Sequence, residues 1–479
     1  MRDRMCLIVL LAGTVCAAQP APTFTDDSAA RISADAADGV SDNRAKAYGV
    51  GDLDQDGDLD VVVARRLRLN PPNGENQNAA TPNTLFMNVG GVLTDMTDEL
   101  APELAVSKAS RAVALADLDN DGDLDVIVGD GDNNTPLLLM NNGGVGEAWA
   151  GLSPAPDMLP ENYLTDVWSI AIGDLVGDGD GFPDVYLGTR VGSDRVLVNL
   201  GGGGVCAADC DGNGVLNVLD FVCFQNEWQG QTEKGDCDEN GQYNILDFVC
   251  YQGAFQQGCE GGGGWLGFVD ESSRLGNNAT VSASRSSRAI DINGDGDVDI
   301  IRDVTNPTGQ TQILANDGTG MFTGSPQVVF TSAAYNFNLG ELDGDGLIDF
   351  YGVRNGVDQF RRNLGDAGGD LVSLGTAISA PASTNGFGSR VTVGDLNGDE
   401  TDDFLVCDLD LEFPTDCARR LNILYNPGDG NSLTDGYPTP VAWEKNGTAD
   451  VALIDFNGDG LLDMLIGHCS GNSVFIQDN

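Results

Sequence analysis

Asp52, Asp54, Asp56 and Asp60 fall at positions 1, 3, 5 and 9 of one nine-residue run, with Gly57 at position 6. Alternate carboxylates in a tight loop turn their oxygens toward one centre, and glycine permits the turn. A backbone carbonyl near position 7 adds to the set, and Ca²⁺ takes about six to eight such oxygens. The chemistry this pattern points to is calcium binding, and the pattern recurs. Asp117, Asp119, Asp121 and Asp125 repeat it unchanged. Asp291, Asn293, Asp295 and Asp299 substitute one amide, as do Asp455, Asn457, Asp459 and Asp463. Glu341, Asp343, Asp345 and Asp349 begin on glutamate. Two copies are irregular. Asp395, Asn397, Asp399 and Asp403 surround Glu400, which stands where glycine belongs. Asp174, Asp178, Asp180 and Asp184 span a loop two residues longer than the others, and weak or no binding is expected there.

A β-branched run follows the loops, as in Val61-Val62-Val63 and Val126-Ile127-Val128. The seven loops begin 65, 57, 117, 50, 54 and 60 residues apart. A second landmark is a strand-like run ending in Asn with Gly close behind, at Asn88, Asn141, Asn199, Asn316 and Asn426. Asn and Gly tolerate positive φ, so these read as hairpin turns. Strand, loop and hairpin repeating at this spacing make the blades of a propeller. The fold class expected is mainly β, a seven-bladed β-propeller with a small α-helical insert. The 117-residue interval holds one blade and about 60 further residues, between the runs Gly201–Gly204 and Gly261–Gly264. That insert follows Asn199 directly and so replaces a hairpin tip, where insertions disturb a fold least. The chain ends on the landmark run before Asn479, and Phe24-Thr25-Asp26 is the expected missing strand, closing the ring with both termini.

The run Phe387-Gly388-Ser389-Arg390-Val391-Thr392-Val393-Gly394-Asp395 carries a Phe-Gly element before its acidic loop. These repeats resemble the FG-GAP/VCBS family, best known from integrin α-chain propellers. The Gly-Ala-Pro element of the family is absent, so the copies are divergent. The resemblance implies structural calcium in loops on one face. It also implies a protein or polysaccharide ligand on the face away from them.

The insert holds a different repeat. Asp209, Asp211, Asn213, Asn217 and Asp220 recur 27 residues on as Asp236, Asp238, Asn240, Asn244 and Asp247. Oxygen at positions 1, 3, 5, 9 and 12 with Gly at 6 is an EF-hand-type calcium loop. Each loop leads into an apolar stretch long enough for a helix, Phe221-Val222-Cys223-Phe224 and Phe248-Val249-Cys250-Tyr251. Paired loops with one following helix each resemble a dockerin module, which implies a cohesin-like protein partner for residues 201–264. The resemblance places recognition at Val218, Leu219, Ile245 and Leu246, which are either an apolar partner contact or core residues. Six cysteines in the insert allow 15 pairings. The internal repeat favours Cys210–Cys223 and Cys237–Cys250, with Cys206–Cys259 as a clasp. So small a unit needs such staples. Outside it, Cys407–Cys417 is the expected pair.

A formal charge of −50 repels nucleic acid and anionic membranes alike. It also opposes compaction unless cations are part of the fold. Residues 1–18 read as a signal peptide: Arg2 and Arg4 precede the apolar run Cys6–Ala12 and the small pair Ala17-Ala18. No other segment has the length of a membrane span. The propeller is expected in two parts, residues 19–200 with blades 1–3 and residues 265–479 with blades 4–7. His468 is the one histidine, which removes most Ser-His and Cys-His arrangements and His-rich zinc sites. The function expected is a secreted or cell-surface, calcium-binding scaffold for protein or glycan adhesion. The alternative is a lectin or polysaccharide lyase held in a dockerin–cohesin assembly.

Overall fold

The structure, a computed structural model, describes residues 22–32, 44–66, 82–106, 110–130, 135–160, 166–201, 210, 218–232, 235, 237, 243–257, 265–280, 282–306, 309–331, 334–368, 371–409, 419–436, 450–468 and 471–478. The expected signal peptide, residues 1–18, lies outside them. So do Cys206, Cys259 and Cys417, and the Asp209, Asp211, Asn213, Asn217, Asp236, Asp238 and Asn240 ligands.

Alternation along the strands builds the ring. In the second strand of blade 1, Asp60–Arg66, successive side chains leave opposite faces of the sheet. Val62 therefore packs against blade 2, and Val61 and Val63 against blade 7. A strand buried on both faces reads as a continuous β-branched run, which is how these runs stand in the sequence. Seven such apolar layers, one between each pair of neighbouring blades, hold the propeller together. Each buried Val or Leu contributes roughly 1.5–3 kcal/mol. Near the axis the inner strands crowd: a Cβ on Gly49 would collide with the Leu115 side chain of blade 2, which would have to shift.

Every blade is an antiparallel meander, beginning at the axis. The inner strands are Arg44–Gly51, Ser110–Ala116, Val167–Gly173, Ser282–Ile290, Ala334–Gly340, Gly386–Gly394 and Asp450–Ile454. Blades 5 and 6 are also joined edge to edge, where Asn355 and Gly356 pair with Phe387 and Gly386. Blade 7 is closed by the N-terminal strand, with Phe24 in register with Gln477. This is the expected closure by both termini.

The insert departs from blade 3 after its third strand, Arg195–Asn199, and the chain returns to pair Phe268–Asp270 with that same strand. The second propeller segment thus opens on the last strand of blade 3 rather than on blade 4. Between them run two helices, Val218–Gly230 and Ile245–Gln257. Their small core stacks Phe224 on Tyr251 at 4.1 Å and sets Phe248 edge-on to Phe224 and Trp228. Disulfides Cys210–Cys223 and Cys237–Cys250 staple it in the pairing that the repeat favoured.

Candidate metal centres

Each acidic loop joins the end of an inner strand to the start of the next strand, so all seven gather at one end of the ring. Their scaffold is a repeated hydrogen-bond lattice. Asp60 at position 9 accepts the Leu53 N–H at 2.9 Å and the Asn88 N–H at 2.8 Å, tying its loop to the third strand. Asp125 does the same with Leu118 and Asn141, Asp184 with Leu175 and Asn199, and Asp299 with Ile292 and Asn316. Asp349, Asp403 and Asp463 complete the series with Asn363, Asn426 and Gln477 as third-strand partners.

The landmark asparagines do more than permit a turn. The Asn141 side-chain amide donates to the Leu53 carbonyl of the preceding blade's loop at 2.9 Å, while its oxygen accepts the Gly143 N–H. Asn199 reaches Leu118, Asn316 reaches Leu175, Asn363 reaches Ile292 and Asn426 reaches Glu341 in the same way; Gln477 reaches Leu396. One residue type thus closes a hairpin and clamps it to the neighbouring blade. The signal for the clamp was the recurrence of Asn at a position that glycine or aspartate could equally fill in a turn.

Three loops bring three carboxylates together, with one oxygen from each residue all within 4.8 Å: Asp52, Asp54 and Asp60; Asp117, Asp119 and Asp125; and Glu341, Asp343 and Asp349. These are positions 1, 3 and 9. Asp56, Asp121 and Asp345 at position 5 stand outside the triplets and accept the N–H of position 7. Loops 4, 6 and 7 place the amides Asn293, Asn397 and Asn457 at position 3. Their Asp291, Asp395 and Asp455 still accept the N–H groups three, four and five residues on. Burial pushes the position 9 carboxyl up to about 7 in Asp60, Asp125, Asp184, Asp299, Asp349 and Asp403, against the backbone donors that lower it. Asp119 is raised to about 6, first by burial and then by Asp121 and Asp117. Converging all-oxygen donors, buried at position 9 and mostly half-buried at positions 1 and 3, fit a hard divalent cation. The fifth loop carries a cation of its own, since Arg362 Nη1 lies 2.9 Å from Asp343 Oδ2.

The third loop keeps the opening turn, with Gly177 and Gly179 donating to Asp174, but Val176 fills position 3 and offers no side-chain oxygen. Its two extra residues fall beyond position 6, where Phe182 buries itself. In the sixth loop Glu400 holds φ +71°, the left-handed conformation that Gly57, Gly122 and Gly460 adopt at this position. An L side chain there costs about 1 kcal/mol. Glu400→Gly is therefore expected to raise stability by about that amount; equal denaturation midpoints for the two proteins would show the loop unstrained.

In the insert, Asp247 is fully buried and accepts the Asn244 N–H at 2.6 Å, so positions 9 and 12 of the second loop do meet. Asp220 is the third residue of the first helix, and its side chain is outside the described set. Ile245 and Leu246 are 71% and 56% exposed, which removes the core reading for both.

Residues 52–128 and 117–187 match the family model of the FG-GAP-like repeat. Residues 52–187 are thus similar to FG-GAP-like repeats. The matched FG-GAP-like stretch contains two of the three carboxylate triplets and the irregular third loop. No curated protein matches the chain. Among solved structures, a lectin from Agrocybe aegerita, described for specific recognition of non-reducing terminal N-acetylglucosamine, is 17% identical. That likeness covers 91% of this chain and 90% of the lectin, with a TM-score of 0.43. The PL11 rhamnogalacturonan lyase of Bacillus licheniformis is 12% identical over 90% of this chain and 71% of its own, with a TM-score of 0.38.

Proposed function

We propose that this chain is an exported, calcium-stiffened binding scaffold, with protein or glycan ligands on the ring face away from the acidic loops and a dockerin-like arm for a cohesin-type partner. The observation that carries it is the gathering of all seven loops at one end, three of them with converging carboxylates of which the position 9 member is buried. Calcium held there by Asp52, Asp54 and Asp60, and by the equivalent residues of loops 2 and 5, would lock loop to strand and leave the opposite loops to vary. Export is supported by the two disulfides, which persist in oxidising compartments. Among the described residues no helix is long and apolar enough to cross a membrane.

The dockerin reading of residues 201–264 is supported by the paired helices, by the Asn244–Asp247 contact and by the exposed Ile245 and Leu246 next to Val249. Its test is binding of the full chain to a panel of purified cohesin modules, with and without chelator. Leu246→Asp is expected to weaken calcium-dependent binding about tenfold or more while leaving both disulfides formed. Binding that ignores both chelator and Leu246→Asp sinks the dockerin reading. Deletion of residues 202–263 is expected to leave a folded propeller, because the strands on either side already pair with one another. A deletion variant without a cooperative melting transition would make the insert part of the ring.

A further inference from the structure

The chain is acidic, but its axis is not. The seven inner strands carry Arg44, Lys46, Arg111, Arg285, Arg288 and Arg390, six of the chain's 24 Lys and Arg, against Asp450 alone of its 74 Asp and Glu. The cations that can be followed in side-chain detail meet around Trp168, the second residue of the inner strand of blade 3. The Arg111 guanidinium lies 4.2 Å from the indole centroid, Arg285 at 5.0 Å and Arg190 at 5.5 Å. Three blades, 2, 3 and 4, supply these groups. From the far side of the ring, Arg390 of blade 6 donates to the Arg111 carbonyl at 2.9 Å, so side chains reach across the axis here. Trp168 and Arg111 stand near the starts of strands whose other ends run into the acidic loops. A seven-residue strand separates the two ends by about 20 Å, well beyond a Debye length at physiological salt.

Four carboxylates stand near the five guanidinium groups of Arg111, Arg190, Arg285, Arg288 and Arg390. Asp166 is 3.6 Å from Arg190, and Asp450 is 3.7 Å from Arg390. Buried Asp303 feels Arg285 and Arg288, yet burial raises its carboxyl to about 7. Asp130 lies opposite Ser110, one residue from Arg111. The Arg190 side chain is 49% exposed, so the cluster opens to solvent. The indole N–H of Trp168 is buried and has no acceptor among the described residues. Guanidinium forks and an indole donor are chemistry for an oxyanion. The overall charge of −50 repels a dense polyanion from a distance, whereas a ligand with one acidic group per few sugar rings meets mainly the local field.

We propose that the axial end remote from the acidic loops binds the carboxylate or sulfate group of a sparsely charged acidic oligosaccharide, with Arg111, Arg190 and Arg285 around Trp168 as its contacts. This rests on the reading of that face as the ligand face and gives its ligand a chemistry.

The test is calorimetric titration of the full-length, calcium-loaded chain with three short oligosaccharides of one length: carboxylated, sulfated and neutral. At least one acidic member is expected to bind, about tenfold or more tighter than the neutral one, and to weaken as salt rises. The arm that binds distinguishes carboxylate from sulfate. Arg190→Gln is expected to weaken that binding about tenfold at an unchanged melting temperature, since the residue is half exposed, and Arg190→Lys to restore part of it. Arg195→Gln, which breaks an ion pair with Asp270 on the outer strands, is the control and should bind as the parent does. If Arg190→Gln destabilises the fold, Trp168→Phe replaces it, removing the indole donor while keeping an aromatic ring. Equal affinity for the neutral sugar, lost on Trp168→Phe, overturns the anion proposal and leaves the face a ligand face. Acidic binding insensitive to Arg190→Gln and Trp168→Phe, or no binding by any of the three, overturns it as well.

Discussion

Chelating calcium at pH 7.5 is expected to lower the melting temperature by about 10 °C or more, and re-addition of calcium to restore it. A ligand that binds only the folded chain at a hundred times its dissociation constant contributes about 2.7 kcal/mol per site. The three carboxylate triplets together then supply about 8 kcal/mol. In a chain of this size each kcal/mol moves the midpoint by about 2 °C or somewhat less. Removing the cation also leaves ionised groups crowded together, as with Asp119 between Asp117 and Asp121. A melting curve that chelator does not move would end the metal reading of the loops.

The same experiment has a pH arm whose sign is fixed by the position 9 carboxyls. Folding raises them to about 7, against an ordinary aspartate value of about 4 in the unfolded chain. A group whose pKa rises on folding binds its proton more tightly in the folded state, so the chelated protein loses stability as pH rises from about 4 to about 7. In chelator the chain should melt higher at pH 5 than at pH 7.5. With calcium present the trend should reverse, because protons compete with the cation for the same oxygens. Parallel pH trends with and without calcium would mean that these carboxylates do not hold it.

The loops were legible because every part of them is local. Positions 1 to 9 lie within one turn, and the turn's chemistry is written in the alternation of Asp52, Asp54 and Asp56 with Gly57. Blade number followed from spacing, ring closure from a count of strands, and the insert disulfides from the coincidence of two repeats. The lattice was legible only in part. Asp60 was read as a ligand opening the next strand, and its bonds to Leu53 and Asn88 join segments 28 residues apart. The clamp from Asn199 to Leu118 spans 81 residues and belongs to no motif. What sequence could not give at all is whatever the closed ring brings together. Arg390 lies 279 residues from Arg111, and Trp168 is an unremarkable aromatic until three blades converge on it.

Asp194→Ala is expected to be the most damaging single substitution outside the loops, at about 3–5 kcal/mol. Asp194 precedes the strand that carries the insert, and Arg302 stands in the second strand of blade 4; neither side chain is exposed. Asp194 Oδ2 accepts from Arg302 Nη1 at 2.9 Å, Tyr186 Oη at 2.6 Å and Ser284 Oγ at 2.5 Å, and its Oδ1 accepts the Thr189 N–H at 2.8 Å. Alanine would strand four donors and leave a guanidinium buried without its counter-charge. That is a different loss from a cavity, and a double variant separates them. Replacing both partners with apolar residues, as Asp194→Leu with Arg302→Met, removes the stranded charge and should recover part of the stability, while Tyr186, Ser284 and the Thr189 N–H still lack their acceptor. The readout is the urea midpoint of the parent, the two single variants and the double variant. A loss under about 1 kcal/mol in Asp194→Ala would mean that the seam relaxes to readmit water around Arg302. Recovery in the double variant beyond either single variant would make the pair a fastening between blades 3 and 4.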